Sequence, residues 1–101
     1  MAAYMIFLRE GPIHNPAEME TYERKLRESR PAAAASPSNL KLLASYGALK
    51  PLEGKAPEGV ILLEFPTVEE AEAWYKSPSY QVAVEHRKKA ADYRVLIFQG
   101  V

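Results

Sequence analysis

The sequence predicts an α+β fold in which an antiparallel sheet carries helices on one of its faces. Two observations support this prediction. Apolar runs of strand length alternate with capped amphipathic segments, and their order along the chain is strand, helix, two strands, helix, strand. This is the βαββαβ plan of ferredoxin-like folds. Right-handed crossover connections then place both helical segments on the same face of the sheet.

Composition is that of an ordinary globular protein and argues against several classes of partner. A chain of 101 residues suffices for one core, so a single domain spanning residues 1–101 is expected. Thirteen basic residues balance thirteen acidic ones, which argues against nucleic acid and membranes as partners. There is no cysteine, and the N-terminal apolar run is too short for a signal peptide. We therefore expect a cytoplasmic protein.

The first half of the chain predicts one strand and one charged helix. Ala3 to Arg9 is apolar at nearly every position, as in a strand that is covered on both faces. Asn15 is a typical N-cap residue and Pro16 suits the first helical position. The helix is expected to end near Ser29, because a proline follows soon after. Pro31 to Asn39 is predicted to be mainly loop.

Three more strand segments are predicted in the middle of the chain. Leu40 to Tyr46 is one strand, and Val60 to Phe65 is another with a wholly apolar face. Ala48 to Glu53 is a weaker edge strand, because Pro51 interrupts it.

The last third predicts a helix in two parts and a closing strand. Thr67 with Glu70 three residues later is a capping box that starts the first part. Ser77-Pro78 restarts the helix, which continues to about Ala91. The segment from Tyr93 to Gln99 then forms the closing strand.

The predicted sheet is apolar on both faces, although the helices can cover only one of them. We assign the helices to the face that carries Ile61, Leu63 and Phe65. The opposite face still carries Val60 and Leu62, with apolar residues of the first and last strands beside them. An exposed patch of that size is unusual in a soluble monomer, so we expect a homodimer that pairs these open sheet faces.

Several stretches of the sequence resemble the uncharacterised bacterial family known as domain of unknown function 1330. They include Glu64-Phe65-Pro66-Thr67, the string Trp74-Tyr75-Lys76-Ser77-Pro78-Ser79-Tyr80-Gln81, His86-Arg87 and Ala91-Asp92-Tyr93-Arg94. The resemblance covers nearly the whole chain. It departs at Asn15, where aspartate is usual, and over the alanine-rich stretch after the first helix. The resemblance implies a dimeric α/β barrel and no established activity.

Glu64 and Arg9 are candidate functional charges on the predicted strands. Glu64 lies on the face assigned to the dimer, where an unpaired carboxylate is costly. It is therefore either a catalytic acid or base, or one half of a structural pair with a cation. Arg9 is a candidate ligand-binding residue that would clamp an anion in the same cavity. The alternative for Arg9 is a salt bridge at the rim with Glu10 or Glu64.

His86 and Arg87 are candidates on the last helix. Histidine is suited to proton transfer near neutral pH, and arginine is suited to holding a carboxylate. Neighbouring helical residues point about 100° apart, so the two side chains cannot both face one small site squarely. A solvated or hydrogen-bonded surface role is the alternative for this pair.

The aromatic residues of the helices are candidates for a pocket wall. Tyr22 and Tyr80 are the candidate ligand-binding tyrosines, and we expect the hydroxyl of one or the other to reach a cavity, whereas Trp74 and Tyr75 are assigned mainly to packing. The two histidines, His14 and His86, show no metal-ligand spacing, so no metal is expected. The absence of a glycine-rich phosphate loop or dinucleotide fingerprint predicts no cofactor.

These observations favour a small homodimer that binds a small organic molecule in the barrel or in the cleft between helices and sheet. Two alternatives remain. One is a cofactor-independent enzyme of the monooxygenase or isomerase type, in which Glu64 or His86 transfers a proton. That enzyme requires Glu64, Arg9 and a tyrosine hydroxyl to converge on one open cavity. The other is a structural or stress-associated dimer without catalysis, whose polar residues only satisfy one another.

Overall fold

The computed structural model of the chain describes residues 1–35 and 40–101, which form four strands and three helices. In chain order these are β1 (Ala3–Arg9), α1 (Pro16–Ala35), β2 (Lys41–Ser45), β3 (Gly59–Phe65), α2 (Val68–Lys76), α3 (Pro78–Ala90) and β4 (Tyr93–Gln99). The strands form one antiparallel sheet in the order β2-β3-β1-β4. The predicted ferredoxin-like plan is therefore confirmed. The sheet of the single chain is open, so the barrel implied by the family resemblance is matched only loosely.

The two predicted N-caps and the helix restart are present. The backbone N–H of Glu70 donates to Thr67 Oγ1 at 3.1 Å, which caps α2. The backbone N–H of Glu18 donates to Asn15 Oδ1 at 3.3 Å at the start of α1. Ser77 ends α2 and caps α3, and its Oγ accepts from the backbone N–H of Tyr80 at 3.4 Å. Short polar side chains thus set these helix boundaries locally.

The core lies between the helices and one face of the sheet, as predicted. In the register of the sheet Met5 is paired with Leu63 on one side and with Ile97 on the other. Met5, Leu63 and Phe65 pack with Ala71 of α2 and Val84 of α3 in one buried cluster. Burial of these apolar side chains stabilises the fold by roughly 25 cal/mol for each Å² that leaves water.

The opposite face of the sheet carries the alternate residues of the same strands. On β4 these include Leu96 and Phe98, which are 45% and 43% exposed. Phe98 lies against Tyr4 of β1, with 5.6 Å between the ring centroids. Ile6 and Leu62 are paired across β1 and β3 on this face. We refer to the surface formed by these five residues as the open face.

The predicted edge strand over Ala48 to Glu53 is wrong. Between β2 and β3 the chain follows irregular backbone, with Gly54 at a φ of 78°. Pro51 cannot donate a backbone hydrogen bond, which works against a strand at this point. Leu52 is accordingly 87% exposed instead of packed in a ladder.

The predicted end of the first helix near Ser29 is also wrong, because α1 continues to Ala35. The four alanines after Pro31 have the highest helix propensity of any residue, and this favours continuation beyond the proline. The predicted loop over Pro31 to Asn39 is therefore helical in its first part. Its remaining residues, 36–39, lie outside the described residues.

None of the helices in the described ranges is long and apolar enough to cross a membrane.

Gly59 is a position where the fold requires the absence of a side chain. A Cβ atom there would lie 2.5 Å from Tyr46 Cδ1, closer than any ordinary contact. Tyr46 itself has a positive φ of 53°, a left-handed conformation that is uncommon for a residue other than glycine. The ring of Tyr46 therefore lies directly over the backbone of β3.

We predict that Gly59→Ala destabilises the protein by about 1–3 kcal/mol, because its methyl group overlaps the Tyr46 ring. Urea denaturation monitored by circular dichroism measures this change. Gly11→Ala is the matched control, since no atom lies within 4 Å of its added Cβ. Removal of the ring by Tyr46→Ala should abolish the extra cost of Gly59→Ala in a double-mutant cycle. If Gly59→Ala lowers the free energy of unfolding equally in the wild-type and the Tyr46→Ala proteins, this packing is contradicted.

Candidate functional site

Arginine and tyrosine side chains converge between the helices and the sheet at one end of the strands. In the sheet register Gly59 of β3, Arg9 of β1 and Tyr93 of β4 lie side by side. The helices and the segment after β2 add further polar groups above this row. We call the set the tyrosine–arginine cluster, and its members are Arg9, Tyr22, Tyr46, Tyr80, Arg87 and Tyr93.

A pair of hydroxyls links α1 to α3 within the cluster. The hydroxyls of Tyr22 and Tyr80 are 3.1 Å apart, and Tyr80 is only 2% exposed. The Tyr80 ring packs between Trp74 and Tyr75, with centroid distances of 4.3 and 5.4 Å. Aromatic packing therefore holds the Tyr80 hydroxyl in a largely dry environment.

A second hydroxyl pair spans the sheet. The hydroxyls of Tyr46 and Tyr93 are 2.5 Å apart. The guanidinium of Arg9 lies over the Tyr46 ring, 5.6 Å from its centroid. Arg9 Nε is buried and has no hydrogen-bond partner within the described ranges. The left-handed backbone of Tyr46 is thus held by a hydroxyl contact, a cation–π contact and the space above Gly59.

Arg87 is the most unusual member of the cluster. It is 4% exposed, and its guanidinium lies over the rings of Phe7 and Tyr93 at 5.5 and 5.0 Å. Its Nε and Nη1 atoms are buried without a hydrogen-bond partner in the part of the chain that the structure describes. A buried cation normally has a carboxylate or several acceptors around it. Here the faces of two aromatic rings contact the guanidinium instead, and the N–H groups at Nε and Nη1 have no acceptor among the described residues.

Three tyrosines of the cluster remain neutral at physiological pH, although only Tyr80 is fully buried and Tyr46 is 45% exposed. Burial raises the pKa of Tyr22, and the nearby Arg87 charge only partly opposes this. Burial also raises the pKa of Tyr80, as does its proximity to Tyr22. For Tyr46, burial and the hydrogen bond to Tyr93 raise the pKa together. None of these three hydroxyls therefore supplies a negative charge to balance Arg87.

A surface cleft of about 320 Å³ opens beside Arg87. Its walls combine apolar and aromatic groups with charge, and its lining consists of Tyr75, Arg87, Lys88, Ala91, Asp92, Tyr93 and Val95. Lys88 and Asp92 are exposed, so they form its rim. A concave cleft that combines aromatic and aliphatic side chains with one buried charged group is typical of a binding site for a small organic molecule.

Glu64 lies on the opposite face of the sheet from this cleft. Its register partners are Tyr4 and Lys41, whereas Arg9 is paired with Gly59 on the helix side. Glu64 and Lys41 line a separate surface cleft of about 280 Å³ near the start of β1. The expected convergence of Glu64 and Arg9 on one cavity is therefore wrong. Successive residues of a strand point to opposite faces of the sheet, and Glu64 lies five positions after Gly59, the register partner of Arg9.

His86 is directed away from the sheet toward α1. Its Nδ1 atom lies 2.5 Å from Glu18 Oε2, and both side chains are 26% exposed. The neighbouring Arg87 is turned instead toward Phe7 and Tyr93. This divergence is the one expected for adjacent helical positions. His86 thus lies in a hydrogen-bonded helix–helix contact, while Arg87 lies in the cleft.

Sequence reasoning placed Tyr22, Tyr80, Arg9 and Arg87 among the candidates, and the structure brings these four into one cluster. It missed Tyr46 and Tyr93, whose hydroxyls meet only because β2, β3, β1 and β4 align in this register. It also assigned Tyr75 mainly to packing, although this residue lines the cleft. The sequence did contain a signal for Tyr93. This residue begins β4 directly after α3, the helix that carries Arg87, so the two side chains could be expected to lie close together.

No group of three acidic, histidine or cysteine side chains capable of holding a metal ion occurs among the described residues.

The fold and the cleft define a class of small ferredoxin-like α+β proteins, and sequence comparison identifies the family. The family model described as domain of unknown function 1330 matches residues 2–101. The chain therefore belongs to this family. No curated protein matches the chain at a significant level.

Solved structures with the same fold include proteins of unknown function and an oxygenase. A protein of unknown function from Rhodopseudomonas palustris has a TM-score of 0.68 and 22% identity, and the match covers 99% of this chain and 82% of that one. A dimeric ferredoxin-like protein of unknown function from Jannaschia has a TM-score of 0.70 and 11% identity, with coverages of 99% and 100%. SnoaB, a cofactor-independent oxygenase from Streptomyces nogalater, has a TM-score of 0.56 and 12% identity, with coverages of 99% and 92%. At these identities the likeness shows the fold alone.

We predict that the stability of the protein falls as pH rises above the ordinary tyrosine pKa of about 10. The folded state keeps the Tyr80 proton in this range while the unfolded chain loses it, so alkali favours unfolding. For each such proton, the free energy of unfolding falls by up to about 1.4 kcal/mol per pH unit. Urea denaturation at pH 8 and pH 11 measures the change. Tyr80→Phe should reduce this loss of stability between pH 8 and pH 11. Ser79→Ala, a control at an exposed site, should not reduce it. If Tyr80→Phe loses as much stability as the wild type, the raised pKa of Tyr80 is not its cause.

Proposed function

We propose that this protein is a small homodimer whose helix–sheet cleft binds a small organic molecule. The observation that carries the proposal is a cleft of about 320 Å³ that reaches Arg87, a buried cation with unused hydrogen-bond donors. A folded protein rarely leaves buried donors unpaired, because each such group costs about 1–3 kcal/mol. A ligand that accepts from these donors removes that cost.

The shape and lining of the cleft support a ligand of modest size with an apolar part. Tyr75, Tyr93 and Val95 offer aromatic and aliphatic surface along one side. The same side chains pack against the buried core, which holds them in place before a ligand arrives. Because these side chains are already ordered, binding a ligand costs less conformational entropy.

The open face supports the homodimer part of the proposal. It places Leu96 and Phe98 in contact with solvent in the single chain, next to Tyr4, Ile6 and Leu62. A continuous apolar sheet surface of this kind is self-complementary about a two-fold axis. Several solved structures of the same fold are described as dimeric.

The cleft beside Arg87 contains neither Glu64 nor His86, the two residues to which the enzyme alternative assigns proton transfer. Glu64 belongs to the opposite face of the sheet, and His86 contacts Glu18 outside the cleft lining. A structural dimer without a ligand remains the competing hypothesis, and the binding experiment below separates it from the proposal.

We predict that a panel of small neutral and charged organic compounds contains ligands that raise the melting temperature. A ligand at about 100 times its Kd stabilises the native state by roughly 2.7 kcal/mol. Val95→Phe, which fills the cleft, should abolish the shift. Val82→Phe makes the same change on the exposed surface of α3 and should retain it. The binding proposal fails if no compound shifts the wild type, or if Val95→Phe, shown to be folded by circular dichroism, responds equally.

We predict a mass close to twice the 11.3 kDa of the chain by light scattering. Leu96→Glu should shift the protein to the monomer, because each protomer would bury an unpaired carboxylate at the interface. Val82→Glu introduces the same charge at an apolar site of α3 that is 54% exposed, and should leave the dimer intact. A wild-type mass of 11.3 kDa would remove the dimer from the proposal.

A further inference from the structure

Arg87 is the most deeply buried charge in the layer between helices and sheet, and Arg9 of the same cluster is only partly buried. Among the described residues it is the one charged side chain in the buried class. No described carboxylate forms an ion pair with it, although Asp92 lines the same cleft. The charge is therefore not balanced by the described side chains around it.

The surroundings of Arg87 stabilise its charge but do not accept hydrogen bonds from its Nε and Nη1 atoms. The rings of Phe7 and Tyr93 attract the guanidinium through their electron-rich faces. Ring faces do not replace oxygen acceptors for N–H groups. Nε and Nη1 thus remain buried donors without partners in the described part of the chain.

The hydroxyls near Arg87 do not supply the missing negative charge. Tyr22 and Tyr80 are hydrogen-bonded to each other, and burial raises the pKa of both. They remain neutral phenols that donate and accept hydrogen bonds. The missing partner is consequently a group that carries one negative charge and accepts N–H donors.

We infer that the ligand of the cleft is an organic monocarboxylate, with its carboxylate on Arg87 and its apolar body against Tyr75 and Val95. This inference rests on the proposed binding function and specifies its ligand class. A carboxylate is the acceptor that best matches guanidinium donors. One buried cation requires one balancing charge, which favours a monoanion over phosphate or a dicarboxylate. The aromatic and aliphatic side chains in the lining, Tyr75, Tyr93 and Val95, favour an organic anion over an inorganic one.

Benzoate and benzamide are suitable probes, because they have nearly the same shape and differ in charge. We expect the wild type to bind benzoate roughly 10- to 100-fold more tightly than benzamide, as measured by isothermal titration calorimetry. Inorganic phosphate should not compete with benzoate at equal concentration. Equal affinity for benzoate and benzamide, or effective competition by phosphate, would overturn the inference.

Arg87→Met is the decisive variant, and Lys89→Met is its matched control. Both remove one positive charge from the last turn of α3, but Lys89 is exposed and does not line the cleft. Arg87→Met should lose the preference for benzoate, whereas Lys89→Met should keep it. A retained preference in Arg87→Met would show that another cation binds the carboxylate, which contradicts the inference.

The stability of ligand-free Arg87→Met distinguishes a ligand-binding arginine from a structural one. Replacing a buried unpaired charge with an apolar side chain of similar volume is often neutral or stabilising. We therefore expect its melting temperature to equal or exceed that of the wild type. A fall of more than about 5 °C would indicate a structural role and overturn the inference.

The outcomes also separate this inference from the proposed function. If neutral compounds of the panel bind in the cleft and benzoate does not, the binding function stands and the carboxylate inference fails. If no compound of either kind binds, both fail.

Discussion

The packing of one helical layer on one face of the sheet is the interaction on which the rest of this molecule depends. Met5, Leu63 and Phe65 are buried by that contact, and α2 and α3 are positioned by it. Because strand side chains alternate, the same strands present Leu96 and Phe98 on the other side. None of the three helices in the described residues covers them. One core therefore produces both a cleft at its edge and an open apolar surface behind it.

Arg87 is the exception within this apolar layer, and its position has an energetic consequence. Its Nε and Nη1 atoms have lost water and gained aromatic faces but no acceptor among the described residues, which is unfavourable for the ligand-free protein. An apolar residue would pack there at lower cost. This unfavourable burial beside a cleft is the basis of the proposed binding role of Arg87. The backbone of Tyr46, held at a φ of 53°, stores strain within the same cluster.

Much of the fold was predictable because its signals are local. Thr67 and Ser77 cap their helices through bonds that span three residues, so their sequence patterns suffice. The end of α1 was not predictable, because Pro31 and the alanines after it have opposing helix preferences. The candidate site depended on strand register instead. Arg9 and Tyr93 become neighbours, and Glu64 is separated from both, only once the pairing of β1 with β3 and β4 is known.

Strand β4 connects the two surfaces. Tyr93 and Val95 line the cleft, while Leu96 and Phe98 lie on the open face. β4 is an edge strand that is held along its whole length by β1 alone, in seven pairs from Ala3↔Gln99 to Arg9↔Tyr93. A shift of one residue would exchange the two sets of side chains. The proposed dimer contact on the open face and the proposed binding cleft, where Tyr93 lies beneath Arg87, therefore depend on the same register.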